Sequence, residues 1–177
     1  MGRVGIDTIV AASGCAKASL YNNFVSKDEL AIAFLNRREE VWTVNWLEAE
    51  VLRRAAEPEG RLLAIFDAFD DWFRREDFEG CSFINVLLES DVSSPVRKAA
   101  AQHLANVRAM VCALAEQAGL AEPESFSQVW HMLMKGSIVA AAEGNRDAAR
   151  SAGRAARVVL EGWARHGMAL AGAESAA

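Results

Sequence analysis

Apolar residues recur along most of the chain at the three- and four-residue spacing that places them on one side of an α-helix. Leu62, Ile65, Phe66, Phe69, Trp72 and Phe73 form one such stripe. Val96, Ala100, His103, Leu104, Val107, Met110, Val111 and Leu114 form a second. Phe126, Val129, Trp130, Leu133, Met134, Ser137, Ile138 and Ala141 form a third, and residues 147–168 are rich in Ala and Arg around Val158, Val159, Leu160 and Trp163. A strict alternation that would mark a strand persists nowhere. Pro58, Pro95 and Pro123 each stand where a helix can begin, because the first helical position needs no N–H donor. Gly119 and Gly144 fall just past periodic stretches, where a left-handed cap suits them. From Lys27 to Glu57 there is neither Gly nor Pro, which predicts one helix of about 28 residues, roughly 42 Å long. Ser26-Lys27-Asp28-Glu29 is a capping-box pattern at its start. The expected class is all-α, with about eight helices.

Composition narrows the functional classes. A chain of 177 residues with 52% hydrophobic and 24% charged residues supports a folded core without disulfides or metal. Its 3 cysteines, Cys15, Cys81 and Cys112, are sparse and far apart, which fits a reducing cytosol and a cytoplasmic protein. No apolar run approaches a membrane span (Gly136–Ala142 is among the longest), and the N-terminus lacks the pattern of a secretory signal. The net charge of −5 is unevenly spread. Over residues 1–27 Arg3, Lys17 and Lys27 stand against Asp7 alone, so a mildly basic head precedes an acidic body.

That head is built from short pieces. Ile6–Ala12 and Ala16–Phe24 each allow about two helical turns around the break Ser13-Gly14-Cys15, and two short helices about a glycine turn are the helix-turn-helix arrangement. Its second helix enters the major groove of DNA. Ile6, Ile9, Val10, Leu20 and Phe24 are the apolar positions that clamp the pair. The stretch resembles the DNA-binding signature of the TetR/AcrR regulators, matching at Gly14, Leu20, Tyr21, Phe24, Lys27 and Leu30. Farther on, Gly80-Cys81-Ser82-Phe83-Ile84-Asn85 is similar to a segment in one branch of that family.

The resemblance implies double-stranded operator DNA as a partner. Lys17, Ala18, Ser19, Tyr21, Asn23 and Lys27 are the expected DNA-contact residues. Lys17 has the reach for a guanine edge or a phosphate, and Ser19, Tyr21, Asn23 and Lys27 suit phosphate oxygens. Cys15 stands where the family often has Val and reads either as a small apolar turn residue or as a thiol switch. Gly5 replaces the usual Ser or Thr cap. Family members carry a further helix ahead of this point, and only Met1–Val4 precede it here. Either the start lies upstream of Met1 or this helix has been lost; if the chain begins at Met1, a loosened head is expected.

In the body, aromatic residues concentrate and polar residues interrupt the apolar stripes. Trp42, Phe66, Phe69, Asn85, Glu89, His103 and Trp130 are the candidate effector-binding residues, with His131 a further polar interruption. His103 reads equally as a core histidine held by a backbone carbonyl. The family resemblance implies a small-molecule effector without naming it. No spacing suits a metal, a cofactor loop or a nucleophile elbow, so no enzyme, metal or cofactor is expected. The last two long helices mix small and bulky residues at Gly136, Ala140, Gly153, Ala156, Val159, Gly162 and Trp163, which suits a homodimeric four-helix bundle or, alternatively, an intramolecular hairpin. The expected organisation is a helix-turn-helix domain at 1–45, an effector-binding and dimerisation domain at 46–168, and a disordered tail at 169–177. Two functions remain open: a repressor released from a palindromic operator by its effector, and a ligand-binding, dimerising helical module without competent DNA binding.

Overall fold

A computed structural model describes residues 4–165, and their regular structure is helical. The expected tail at 169–177 lies outside the described residues. The elements are α1 (Ile6–Ser13), α2 (Lys17–Asn23), α3 (Lys27–Glu39), a π-helical stretch (Glu40–Glu48), α4 (Ala49–Arg54), α5 (Pro58–Phe73), α6 (Ser82–Glu89), α7 (Pro95–Gln117), α8 (Pro123–Ala142) and α9 (Ala148–Gly162). The long helix expected from Lys27 is present as α3, the π stretch and α4 in unbroken succession. Counting it as one gives the eight helices that the spacing predicts among the described residues. Each proline opens a helix, and Gly119 and Gly144 both take positive φ.

The chain forms two compact units. One comprises the described residues up to Trp42 together with Cys81–Ala105; the other comprises Thr43–Gly80 together with the described residues from Asn106 onward.

In the first unit, α1 ends at Gly14, whose φ of 68° is a conformation that a side chain would strain. The Ser13 hydroxyl tightens the turn, donating to Val10 O and accepting from the Cys15 N–H. Ser26 caps α3 by accepting the Glu29 N–H at 3.1 Å. The Glu29 carboxylate in turn accepts the Val25 N–H at 2.6 Å, so the capping box closes one residue earlier than its simplest form. Phe83 and Val86 are the buried residues of α6, and Arg97 donates to Leu87 O and Ser90 O, satisfying carbonyls that the end of α6 leaves free.

The second unit holds the larger core. Phe126 stacks on Trp130 at 5.0 Å between ring centroids, Trp130 meets Phe66 at 5.5 Å, and Phe66 leads to Phe69 and Trp72 along α5. Leu62, Ile65, Phe69, Phe126 and Trp130 are 0% exposed. Burying a side chain of this size stabilises the fold by roughly 2–3 kcal/mol. Helix α9 packs on both α5 and α8. Gly153 permits this approach: a Cβ added there would lie 3.3 Å from Phe66 Cβ. This corrects part of the dimer expectation. Gly153 and the buried Ala156 face their own core, and Trp163 donates Nε1–H to Ala121 O at 2.7 Å while its ring meets Phe126 edge-on. Those three residues close an intramolecular hairpin. The small and apolar residues left exposed are Met132, Gly136, Val139 and Ala142 on α8, and Ala155, Val158 and Gly162 on α9.

Candidate nucleic-acid interface and helical body

Helix α2 carries the expected DNA-contact residues. Leu20 and Phe24 turn half-inward, while Lys17, Ala18, Ser19, Tyr21 and Asn23 are exposed. Tyr21, the one tyrosine in the chain, is 52% exposed, so its ring is not part of a closed core. Lys27 opens α3 and is half-buried. No residue of α1 or α2 is fully buried. An apolar groove of about 330 Å³ lies along Val4, Ile9, Leu30, Ala31 and Phe34, with the Lys27 stem at its edge.

Two contacts within this head were not expected from the sequence. Lys17 Nζ pairs with Asp7 Oδ1 at 2.7 Å, joining the first turn of α1 to the start of α2. The Asp7 hydrogen bond and charge hold the Lys17 ammonium above its ordinary pKa. Both groups are exposed, so the pair contributes little to stability. Asn23 donates Nδ2–H to Ser19 O at 2.7 Å, which ties its amide donor to the helix backbone. The only early sign of the Asp7–Lys17 pair is that Asp7 is the lone acidic residue of the basic head.

The candidate effector residues divide between the two units. Phe66, Phe69 and Trp130 belong to the second unit and are buried in its ring network. Trp42, Asn85, Glu89 and His103 belong to the first. Asn85 and Glu89 lie one turn apart on the exposed side of α6, and Trp42 is half-buried. His103 is 6% exposed; its Nδ1 meets the Glu39 carboxylate and its ring packs 5.0 Å from Phe83. The partner is thus a carboxylate brought from α3 and not the backbone carbonyl considered above.

In the second unit, Thr43 Oγ1, Trp130 Nε1 and His131 Nδ1 are buried, with no hydrogen-bond partner among the described residues. Burial, reinforced by Lys135 and Arg108, lowers the His131 pKa from 6.5 to about 4, so the imidazole stays neutral. Cys112, Glu116 and Glu124 bring one thiol and two carboxylates within 4.8 Å of one another, a grouping that sequence spacing did not reveal. Desolvation and then the charges of Glu124 and Glu116 raise the Cys112 pKa. Cys15 is exposed and Cys81 buried, and all three thiols are free. No helix of the described residues is long and apolar enough to cross a membrane.

The family model for a tetracyclin repressor-like, C-terminal domain matches residues 58–158. A crystal structure of a TetR-family transcriptional regulator from Streptomyces coelicolor is similar, with 26% identity and a TM-score of 0.77, over 89% of this chain and 84% of that one. Another, named as a TetR transcriptional regulator of Streptomyces avermitilis, has 25% identity and a TM-score of 0.73 over 88% of both chains. No curated protein matches the chain.

Proposed function

The chain belongs to the TetR family of transcriptional regulators, and we propose that it binds a palindromic DNA operator as a homodimer and leaves it when a small molecule binds the helical body. The observation that carries the DNA reading is the exposed α2, with Lys17, Ala18, Ser19, Tyr21 and Asn23 outward and Leu20 and Phe24 turned half-inward. In this reading α2 is the recognition helix. Lys17 exchanges Asp7 for a phosphate or a guanine edge, Ser19 and Tyr21 bond phosphates, and Lys27 adds a charge at the start of α3.

The homodimer reading rests on exposed stripes at helical spacing, Met132-Gly136-Val139 on α8 and Ala155-Val158-Gly162 on α9. Small residues there let the helices of two copies approach closely, and a twofold pairing offers two recognition helices to a palindrome. The effector is received among the apolar rings around Phe66, Phe69 and Trp130, where Trp130 Nε1, without a hydrogen-bond partner among the described residues, suits a molecule bearing a hydrogen-bond acceptor. The regulator acts on DNA in the cytoplasm and performs no catalysis.

A second reading, a dimerising ligand-binding module that holds DNA poorly, draws on one observation: nothing in α1 or α2 is fully buried. The two separate in one experiment. The chain is used to enrich duplexes from a random pool, and the affinity for the enriched duplex is followed against salt. Enrichment of a palindrome is expected, and Lys17→Gln lowers the salt slope by about 0.9, the loss of one phosphate contact. Asp7→Asn, which releases Lys17, tightens binding. Failure to enrich any palindrome leaves the second reading standing.

A further inference from the structure

The face between α5 and α9 carries a groove of about 510 Å³ whose chemistry the regulatory reading does not use. Its floor is apolar, made by Leu63, Phe66 and Gly153. Gly153 matters twice: it lets α9 come close to Phe66, and it leaves the floor without a side chain of its own. The rim is charged, with four arginines against three aspartates. Most of these are already satisfied. Arg54 pairs with Asp71 at 2.5 Å and with Glu50, while Asp70 accepts from Arg74 and Arg150.

Arg154 and Arg157 differ. They stand three residues apart on one side of α9, and among the described residues neither has a carboxylate partner. Arg154 donates only to the Ser151 hydroxyl, at 3.1 Å. Two guanidinium forks beside an apolar floor match a carboxylate attached to a flat apolar body, because the fork can bond both carboxylate oxygens. The aspartates set the charge of the ligand. The carboxylates of Asp67, Asp70 and Asp71 on the rim oppose a dianion such as phosphate more strongly than a monoanion, whose carboxylate a single guanidinium fork can match.

We propose that this groove is a binding site for small aromatic monocarboxylates, held by Arg154 and Arg157 over Phe66. The site borders the buried rings assigned to the effector, sharing Phe66 with them, but opens on the exposed Arg154 and Arg157; it does not depend on DNA binding.

The test is isothermal titration of the full chain with 1-naphthoate, with neutral 1-naphthylmethanol and inorganic phosphate as comparisons. Saturable binding of naphthoate at one site per chain is expected, with much weaker binding of the other two. The double variant Arg154→Gln/Arg157→Gln changes only exposed side chains and should weaken naphthoate about tenfold or more, as loss of two charge-assisted contacts implies. Asp67→Asn removes the rim carboxylate that has no ion-pair partner among the described residues and should tighten binding severalfold. The proposal is overturned by absence of saturable naphthoate binding, by equal binding of the neutral alcohol, or by undiminished binding to the double variant. The last result would move the naphthoate into the core.

Discussion

His131 makes the stability of this protein depend on pH between about 6.5 and 4. The side chain is 3% exposed, its Nδ1 has no hydrogen-bond partner among the described residues, and Lys135 and Arg108 add positive charge nearby. Burial is the leading cause of its lowered pKa, about 4 against an ordinary 6.5. The sign follows from which state takes the proton. Above about pH 6.5 the imidazole is neutral in both states, and stability is at its plateau. Between about 6.5 and 4 the unfolded chain binds a proton that the folded chain refuses, so stability falls with falling pH. Each pH unit of that window carries about 1.4 kcal/mol, for a total of about 3 kcal/mol, a sizeable part of the 5–15 kcal/mol typical of a folded domain.

Urea unfolding followed by circular dichroism, at a series of pH values for the natural chain and for His131→Leu, measures this term. Between about pH 7 and 5 the natural chain should lose about 2 kcal/mol more than the variant. Carboxylates do not imitate the effect. Hydrogen bonds from Arg53 and Arg54 hold Glu50 at about 2, and a hydrogen bond from Arg74 lowers Asp70, so their losses come at lower pH. Parallel curves for the two proteins through this window would refute the reasoning and mean that His131 is already protonated or hydrated in the fold.

Two further predictions concern the body. Val158 is 71% exposed on α9, and Val158→Glu should yield monomers at micromolar concentration in sedimentation with the thermal unfolding of each chain little changed; an intact dimer would place the interface elsewhere. Thr43 is 3% exposed with its hydroxyl unpartnered, and Thr43→Val replaces that hydroxyl by a methyl of similar size. Denaturant melts should show a gain of about 1 kcal/mol, whereas a loss would reveal a partner for the hydroxyl.

The helices were legible because their signals are local. Prolines at 58, 95 and 123, the Ser26 cap and the three apolar stripes each act within a few residues, and each appears in the structure where the spacing predicts it. What the spacing could not show is which of two similar faces turns inward. Gly136 and Gly153 look alike in sequence, yet Gly136 is exposed while Gly153 meets Phe66, because the approach of α9 to α5 is a tertiary choice. Pairings across long separations were equally hidden. Nothing local marks Glu39 as the partner of His103, and Lys17 finds Asp7 only once the turn at Gly14 has reversed the chain. In α6 the polar residues Asn85 and Glu89 face outward for the ordinary reason that Phe83 and Val86 take the inner side.

The π-helical stretch at Glu40–Glu48 has a different lesson, since its sequence reads as plain helix. Thr43, Leu47 and Val51 are buried at steps of four. In an α-helix four residues overshoot a turn of 3.6 by about 40°, a drift that the ordinary helix α8 tolerates, since Phe126, Trp130, Met134 and Ile138 are buried at the same spacing. Trp42 and Trp46, also four apart, follow the same register on the neighbouring edge and are both half-buried. Hydrophobic spacing tolerates either winding, which is why the pattern predicts a helix here but not its kind. The widening begins directly after Glu39, the residue that meets His103, and the division between the two compact units falls inside it, between Trp42 and Thr43. Wide turns of this sort are frequent at functional positions, and the one place where local regularity is given up in this long helix is where the chain passes from the unit that carries α2 to the unit that carries the aromatic core.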